Sequence, residues 1–367
     1  MRINSLRLQN FRNYAETRVD FAPDVNVIVG ENAQGKTNLL EAVVYLSQGK
    51  SNRARSDREL IRFGESEASV AGEVTTRGRE FTVEARLAAG KRRRLSVNGV
   101  AVGRADELGG VLGTVFFCPE DLYLIRDGAA ARRRFMDQSL VQLRPRYAAA
   151  LAEYNRLYEH KTRILRDSEE HPALLDALPE FNTGLALAGS VLIHYRARFC
   201  ARLAYYAGIA HRDCSGGREE LSLRYETVKT VTDPFADQGV IFEQLMAHQK
   251  SHAAAERASR LCLSGPHKDD VAVDIGGENA RQFSSQGQTR TAALAFKLAE
   301  RDVYQEVAQR APVLLLDDVL SELDPRRQEF VLNRIGGGQV FITCCEEDRL
   351  GSLTAGKVLH VDSGRVV

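Results

Sequence analysis

The sequence has little that would suit it to a membrane, a zinc site or a general affinity for nucleic acid. No apolar run approaches the roughly 18 residues that a membrane-spanning helix needs. Six cysteines occur without a C-x-x-C pair, which predicts reduced thiols rather than a zinc site. The formal net charge is only +1, so DNA binding would have to come from local basic patches.

Other absences place the chain among ordinary globular proteins. It shows no internal repeat and no low-complexity segment. Its first residues read as a strand rather than a signal peptide, so a cytoplasmic location is expected. The 44% hydrophobic and 27% charged content is typical of globular domains, and 367 residues can hold two or three subdomains.

A phosphate-binding loop lies near the start of the chain. Residues 30–37 read GENAQGKT, which fits G-x-x-x-x-G-K-[ST]. An apolar pentapeptide before it predicts a buried strand, and apolar spacing after it predicts a helix to Gln48. Gly35 would let backbone N–H groups approach phosphate, Lys36 would reach the β- and γ-phosphates, and Thr37 would ligate Mg²⁺. The alternative is a chance glycine-rich turn, which the flanking strand and helix disfavour.

An acidic pair lies near the other end of the chain. Val313–Leu316 is a short apolar run that predicts a buried strand, and Asp317 and Asp318 follow it. Alone, the pair would be an ordinary strand end with solvated carboxylates. Beside a phosphate loop, Asp317 is predicted to hold Mg²⁺ and Asp318 to orient or deprotonate the attacking water. The two ends of the chain would then form one ATPase head, with an insertion between them.

The order of these motifs resembles the ABC-type ATPase heads of DNA-repair and chromosome-maintenance proteins, and most closely the RecF family. The matching motifs span nearly the full length of the chain. They are Phe11-Arg12-Asn13-Tyr14, the phosphate loop with the residues to Ala42, Lys50-Ser51 with Arg53, Cys118 to Leu122, Arg133 to Asp137, Ser264 to Asp270, Ser285 to Gln288, and Ser321 to Asp324.

The resemblance implies a mixed α/β ABC-type head with an antiparallel β-layer and an inserted helical lobe. It implies residues 1–128 as the N-terminal half of the head, 129–258 as the helical lobe and 259–367 as the C-terminal half. It also implies a weak, DNA-stimulated ATPase that uses ATP and Mg²⁺, dimerises around ATP and binds duplex or gapped DNA. The expected partners are RecO and RecR, with which such proteins place RecA at single-stranded gaps.

The resemblance also implies roles for individual residues, at the positions of this sequence that match the family motifs. Asp318 would be the catalytic base, and Thr37 and Asp317 the metal ligands. The D-loop would include Ser321 and Asp324. The signature loop, which closes over the nucleotide of the other subunit, would be Ser285, Gln286, Gly287 and Gln288. The expected nucleotide contacts are Gly30, Asn32, Ala33, Gly35, Lys36, Thr37 and Asn38. Helical spacing after Gln288 puts the signature loop at a helix N-terminus, where the alternative is a turn that only caps a core helix.

The sequence departs from the ABC pattern around the γ-phosphate. The strand Val340–Ile342 leads into Thr343-Cys344-Cys345, where transporters have a switch histidine. Thr343 would be only a weak substitute for it. No glutamine sensor directly follows the strand Val115–Phe117. An aspartate at 318, where many such heads have glutamate, fits slow turnover.

Two basic stretches are candidates for DNA contact. Lys91, Arg92, Arg93 and Arg94 precede an Asn-Gly hairpin signal, and Arg53 and Arg55 lie in the stretch from Lys50 to Arg62. For both, a solvated face or internal ion pairs is an equal alternative. A third stretch, Arg132 to Arg134, opens a predicted helix and is a weaker candidate.

The insertion is predicted to be a compact helical lobe. Apolar and aromatic residues recur at helical spacing from Leu140 to Tyr158 and from Leu185 to Tyr206, and an aromatic stripe of this kind is expected to be core. Alternation predicts strands near the N-terminus and at Leu221 to Tyr225.

The sequence is compatible with three functions. The first is a nucleotide switch whose output is a closed dimer on DNA. The second is an ABC-type subunit coupled to a membrane or chromosome-maintenance partner, against which the missing histidine, the helical insertion and the basic hairpin argue. The third is a binding module with an inactive ATPase site.

Overall fold

A computed structural model of the protein describes residues 1–103, 105–345 and 356–367. It consists of two compact units, Met1–Tyr123 with Glu300–Val367, and Leu124–Ala299. The two ends of the chain therefore belong to one unit, as the motif order predicted.

The strands are β1 (Arg2–Phe11), β2 (Tyr14–Asp20), β3 (Val25–Val29), β4 (Glu67–Thr76), β5 (Arg79–Ala88), β6 (Arg94–Val97), β7 (Val100–Val102), β8 (Thr114–Phe117), β9 (Leu221–Glu226), β10 (Asp270–Ile275), β11 (Glu278–Asn279), β12 (Val313–Asp317), β13 (Val340–Cys344), β14 (Lys357–Asp362) and β15 (Arg365–Val366). The helices are α1 (Lys36–Gln48), α2 (Ala129–Leu143), α3 (Pro145–Asp167), α4 (Leu178–Ser215), α5 (Gln238–Ser259), α6 (Ala280–Phe283), α7 (Gln286–Ala308) and α8 (Pro325–Arg334).

The first unit contains two sheets that both contact α1. Among the described residues, one sheet is antiparallel with the order β2-β1-β4-β5-β6-β7, which confirms the predicted N-terminal strands. In the other, β14, β3, β13, β12 and β8 run parallel and β15 pairs antiparallel at the edge. The apolar residues of α1 that the sequence put at helical spacing are fully buried in this unit's core.

The register of the parallel strands sets the position of the site. Asp317 on β12 pairs with Thr343 on β13, and Cys344 on β13 pairs with Val29 on β3. Because these strands are parallel, their carboxyl ends meet at one edge of the sheet. The phosphate loop, the acidic pair and Thr343 therefore come together there.

The second unit consists of helices around a small antiparallel sheet of order β11-β10-β9. The predicted strand at Leu221 to Tyr225 is confirmed as β9. Residues 259–299, which include the β9 partner β10, also belong to this unit, whereas the sequence-based division places them in the head.

The predicted helix from Leu140 to Tyr158 is wrong at one point. It is interrupted at Arg144, whose extended backbone separates α2 from α3. Pro145 explains the break, because proline disfavours a helical conformation in the residue before it and suits the first turn of a helix. The aromatic side chains of Tyr147, Tyr154 and Phe199 are buried as predicted, whereas Tyr158 and Tyr206 in the same stripe are only half-buried.

A buried ion network joins the helices of the second unit. Arg196 on α4, with a side chain only 3% exposed, donates to Asp137 at 2.8 Å and to Asp269 at 2.9 Å. Burial raises the pKa of Asp269, and the Arg196 charge opposes that shift. The motifs Arg133 to Asp137 and Ser264 to Asp270 therefore contribute to the core of this unit.

The basic run at the start of α2 is also structural. Arg132 is buried and makes a bidentate pair with Asp270 at 2.7 and 2.9 Å, and Arg133 donates to the Asp269 carbonyl at 2.6 Å. Contacts within the unit therefore account for Arg132 and Arg133, whereas Arg134 is exposed.

Candidate nucleotide site

The phosphate loop connects β3 to α1 and passes very close to its neighbours. Gly35 has φ +124°, and a Cβ there would lie 2.8 Å from the Asn13 amide nitrogen. A Cβ on Gly30 would lie 2.3 Å from the Val361 carbonyl oxygen. Both positions therefore require glycine for reasons of space, and Gly35 also for its backbone conformation.

The Phe11-Arg12-Asn13-Tyr14 motif supports this loop. Asn13 donates to the Gln34 carbonyl at 2.7 Å and accepts from the Asn38 amide at 2.9 Å. Tyr14, which is fully buried, donates to the Gly35 carbonyl at 3.0 Å. The motif was predicted only to mark the family resemblance; its support of the phosphate loop was not predicted, although the motif itself was the available signal.

A second support reaches the start of α1. Arg12 donates through two nitrogens to the Glu41 carboxylate, each at 2.8 Å, and Ser51 also hydrogen-bonds that carboxylate. Glu41 is buried, so the bidentate pair is geometrically restrained rather than a loose surface contact. The Lys50-Ser51 motif is therefore anchored to the helix that follows the phosphate loop.

The C-terminal hairpin of β14 and β15 provides a third support. The backbone N–H of Ser363 donates to the Gln34 side chain at 2.7 Å, and that of Gly364 donates to the Gln34 carbonyl at 3.0 Å. The last residues of the chain thus help to fix the loop near its beginning.

Lys36 lies folded into the phosphate loop. Its ammonium donates to the carbonyls of Gly30 and Glu31, the latter at 2.9 Å, and lies 3.7 Å from the Cys345 sulfur. Asn32 accepts a hydrogen bond from Cys345 at 3.1 Å. Ala33 has a left-handed backbone with φ 66°, which contributes to the curvature of the loop.

Three oxygen atoms join the phosphate loop to the acidic pair. Thr37 and Thr343 each donate a hydrogen bond to the same Asp317 oxygen, both at 2.9 Å. The Thr343 hydroxyl in turn accepts from the Asp318 backbone N–H at 2.8 Å. Thr343, expected to be only a weak substitute for a switch histidine, therefore hydrogen-bonds the side chain of Asp317 and the backbone of Asp318.

The pKa of the Asp317 carboxyl is shifted by its surroundings. Burial raises its pKa, whereas the hydrogen bonds from Thr343 and Thr37 and the charge of Arg53 act in the opposite direction. The positive charge of Arg53, one of the predicted DNA residues, thus acts to lower the pKa of Asp317.

Asp318 borders a cavity of about 310 Å³. Asn32, Ser321, Thr343 and Cys345 contribute polar groups to its wall, and leucine and isoleucine side chains contribute an apolar part. Asp318 has a left-handed backbone with φ 53°, and Ser321 of the D-loop donates to its carbonyl at 2.6 Å. Asp324, the other D-loop residue, caps α8 by accepting from the Arg327 N–H at 3.1 Å.

The residues present fit a nucleotide with Mg²⁺. Mg²⁺ in nucleotide sites takes one or two protein oxygens and completes its shell with phosphate and water. Thr37 and Asp317 supply such a sparse oxygen set, and the described residues contain no cluster of three or more His, Cys, Asp or Glu side chains suited to a metal. The close backbone approach at Gly35 and the buried Lys36 suit phosphate.

The signature loop lies in the second unit, directly before and within the first turn of α7. The Ser285 N–H donates to the Gln288 side chain at 2.7 Å, and the Gln288 N–H donates to the Ser285 hydroxyl at 3.2 Å. This reciprocal pair is a capping box, so the helix-capping alternative is correct as a local description. Ser285 and Gln286 are nevertheless exposed, which leaves them accessible to another molecule.

The residues predicted to contact DNA differ in their surroundings: some line a groove, one forms an ion pair and one is exposed elsewhere. Lys91, Arg92 and Arg94 line a groove of about 800 Å³ on the antiparallel sheet, which we call the outer groove. Arg93 instead pairs with Asp57 at 3.1 Å, so the internal ion-pair alternative holds for it. The Asn98-Gly99 hairpin turn is confirmed, and both residues have positive φ. Arg55 is exposed outside the groove lining.

The outer groove carries both signs of charge. Its lining residues include Arg7, Arg86, Lys91, Arg92 and Arg94, and also Glu65, Glu67 and Glu84. Arg86 pairs with Glu84 at 2.6 Å. The basic excess is therefore modest and concentrated at Lys91, Arg92 and Arg94.

A protein-family model and full-length relatives both match this chain. The sequence matches the family described as RecF/RecN/SMC N terminal domain over residues 2–362. It is 38% identical to the DNA replication and repair protein RecF of Agathobacter rectalis, over 100% of this chain and 99% of that protein. It is 35% identical to the RecF protein of Clostridium acetobutylicum, again over 100% and 99%.

The chain belongs to the RecF family. A solved structure described as the recombination mediator protein RecF-ATP in the RecFOR pathway superimposes with a TM-score of 0.91 and 31% identity, covering 100% of this chain and 96% of that one. The Smc head domain of Pyrococcus furiosus matches with a TM-score of 0.55 and 16% identity, covering 100% and 95%, which shows a shared fold alone. The predicted ABC-type head is thereby confirmed. No helix in the described ranges is long and apolar enough to cross a membrane.

The hydrogen bonds of Thr343 to the acidic pair predict that its hydroxyl affects the rate of ATP hydrolysis. Thr343→Val removes the hydroxyl that bridges Asp317 and Asp318 while keeping the side-chain shape. A hydrogen bond to a charged group contributes about 1.5–3 kcal/mol, so we expect ATP hydrolysis to slow by at least about tenfold. Thr343→Ser keeps the hydroxyl and should stay within about threefold of the parent rate. Equal rates for the valine and serine variants in a steady-state ATPase assay would contradict this role.

Proposed function

We propose that this protein is an ATP-dependent DNA-binding protein of recombinational repair. In this proposal ATP drives the pairing of two copies on DNA, and slow hydrolysis acts as the release switch. The observation that carries it is the hydrogen bond from Thr37 to Asp317, because it joins the phosphate loop to the acidic pair in one site. The RecF relatives solved with ATP and the full-length similarity support the same conclusion.

The residues of the site have distinct roles in this proposal. Lys36 would exchange the loop carbonyls for phosphate oxygens, and Thr37 and Asp317 would hold Mg²⁺. When bound, Mg²⁺ neutralises charge on the β- and γ-phosphates. Asp318 borders the cavity next to the loop and would orient or deprotonate the attacking water. Its short side chain suits slow turnover.

The signature loop would complete the site of a second copy. Ser285 and Gln286 are exposed at the N-terminus of a helix, where the macrodipole favours an anion. Closure of this loop over the γ-phosphate held by the other copy would make dimerisation depend on ATP. Hydrolysis would then remove the group that holds the two copies together.

We infer the pathway partners from the relatives. The solved RecF structures are described as recombination mediators of the RecFOR pathway. By this similarity the ATP-bound dimer would act with RecO and RecR to assist the loading of RecA at single-stranded gaps. DNA stimulation of the ATPase would follow if DNA favours the closed dimer.

The outer groove gives a test of DNA contact. Replacing Arg92 and Arg94 together by alanine should weaken binding to duplexes of different sequence by similar factors. It should also reduce the slope of log affinity against log salt by up to about 0.9 for each lost phosphate contact. Arg93→Ala is the matched control, because Arg93 pairs with Asp57, and its slope should remain that of the parent. If the double variant keeps the parent slope, the groove does not contact phosphate.

The composite site is tested by mixing two variants. Asp318→Asn keeps the metal ligands but removes the base, so ATP dimers should accumulate and hydrolysis should slow. Ser285→Arg should block closure of the signature loop by its bulk, so ATP should bind to copies that do not pair. A heterodimer of the two has one site with both lesions and one site with neither. The mixture should therefore hydrolyse ATP faster than either variant does alone.

Two outcomes would overturn the composite site. One is normal ATP-dependent dimerisation of Ser285→Arg, measured by light scattering. The other is an inactive mixture in which mass analysis demonstrates heterodimers. Gln282→Ala changes an exposed side chain on α6, just before the signature loop, and is a control that should pair and hydrolyse as the parent does.

A further inference from the structure

The signature loop is tied to a residue far away in the sequence but in the same unit. The side-chain amide nitrogen of Gln288 donates to the Glu219 carboxylate at 2.8 Å. Glu219 lies in the short connection between α4 and β9, three residues after the α4 C-cap Gly216, which has a left-handed backbone. The connection is held in place from the other side, because the Gly276 N–H donates to the Glu220 carbonyl at 2.9 Å.

This contact fixes which way the Gln288 amide points. A carboxylate only accepts hydrogen bonds, so the amide nitrogen must face Glu219. The amide oxygen then faces the Ser285 N–H, from which it accepts at 2.7 Å. With the amide reversed, oxygen would face carboxylate and nitrogen would face an N–H donor, and both contacts would be repulsive. Glu219 therefore selects the amide orientation that completes the capping box.

The other oxygen of Glu219 faces the C-terminal part of α4. It lies 4.0 Å from the His211 ring, which is fully buried. Burial lowers the pKa of His211, with the Glu219 charge acting in the opposite direction. The carboxylate thus lies between the longest described helix of this unit and the N-terminus of α7.

We propose that Glu219 is a positioning residue for the signature loop: through Gln288 it holds Ser285 in the conformation that closes over the nucleotide of a second copy. This inference rests on the proposed composite site and adds to it a residue outside the family motifs found in the sequence. The described contacts of Glu219, with Gln288 and His211, lie within the second unit. Removal of Glu219 should therefore affect pairing rather than nucleotide binding.

The test compares nucleotide binding with pairing. Glu219→Ala should bind a fluorescent, non-hydrolysable ATP analogue within about twofold of the parent, since the nucleotide contacts are intact. Its dimer dissociation constant with that analogue, measured by light scattering across protein concentrations, should rise roughly tenfold, as expected for one charge-assisted hydrogen bond. Glu219→Gln keeps an acceptor oxygen and should stay within about threefold of the parent.

A double-mutant cycle separates positioning from a general structural effect. If Glu219 acts through Gln288, then Glu219→Ala should add nothing to the defect of Gln288→Ala, because the contact is already absent. Glu220→Ala is the matched control, since only the backbone of Glu220 has a described hydrogen bond, and it should pair like the parent. Thermal melting of each variant checks that the second unit stays folded.

The outcomes distinguish this inference from the proposed function. Additive effects of Glu219→Ala and Gln288→Ala, or unchanged pairing of Glu219→Ala while Ser285→Arg fails to pair, would overturn the role of Glu219 alone. Normal pairing of Ser285→Arg would overturn the composite site, and the role of Glu219 with it. Loss of analogue binding by Glu219→Ala would show a structural effect on the nucleotide site and would also contradict the inference.

Discussion

The hydrogen bond between Thr37 and Asp317 is the contact on which the site depends. It spans 280 residues and joins a helix that begins at residue 36 to a strand that ends at residue 317. The parallel pairing of β3, β13 and β12 brings the two residues to one edge, and Thr343 on the strand between completes the arrangement. The strand register thus places the Asp317 carboxylate within reach of Thr37, because a shift of one residue would turn Asp317 to the other face of the sheet.

The surrounding residues hold this geometry rather than contribute chemistry. Asn13 and Tyr14 fix the loop from the antiparallel sheet, and the C-terminal hairpin fixes Gln34. Arg12 and Glu41 fix the helix that follows, through a partly buried bidentate pair. Such supports restrict the loop to one conformation, which lowers the entropy lost when phosphate binds. The signature loop has its own support in the second unit, where Gln288 contacts Glu219.

Local patterns in the sequence predicted the parts of this structure that depend on neighbouring residues. The strand, loop and helix around Lys36 and the strand before Asp317 were predictable because their apolar patterns and glycines act over a few residues. Contacts between residues more than 20 positions apart were not predictable from such local patterns. These are the hydrogen bond of Asn13 to Gln34, the pairing of Arg93 with Asp57 and the contact of Gln288 with Glu219. The break at Arg144 is a different case: Pro145 signalled it in the sequence, and helical spacing on both sides concealed it.

We propose that Thr37 and Asp317, from the two ends of the chain, hold the same Mg²⁺ ion. Titration calorimetry can test this shared site through the Mg²⁺ dependence of ATP binding in Thr37→Ala, Asp317→Ala and the double variant. If both residues hold the same ion, each single change should weaken the Mg²⁺-dependent part of the affinity, and the double variant should be little worse than the weaker single variant. Fully additive losses, or unchanged Mg²⁺ dependence in either single variant, would contradict the account.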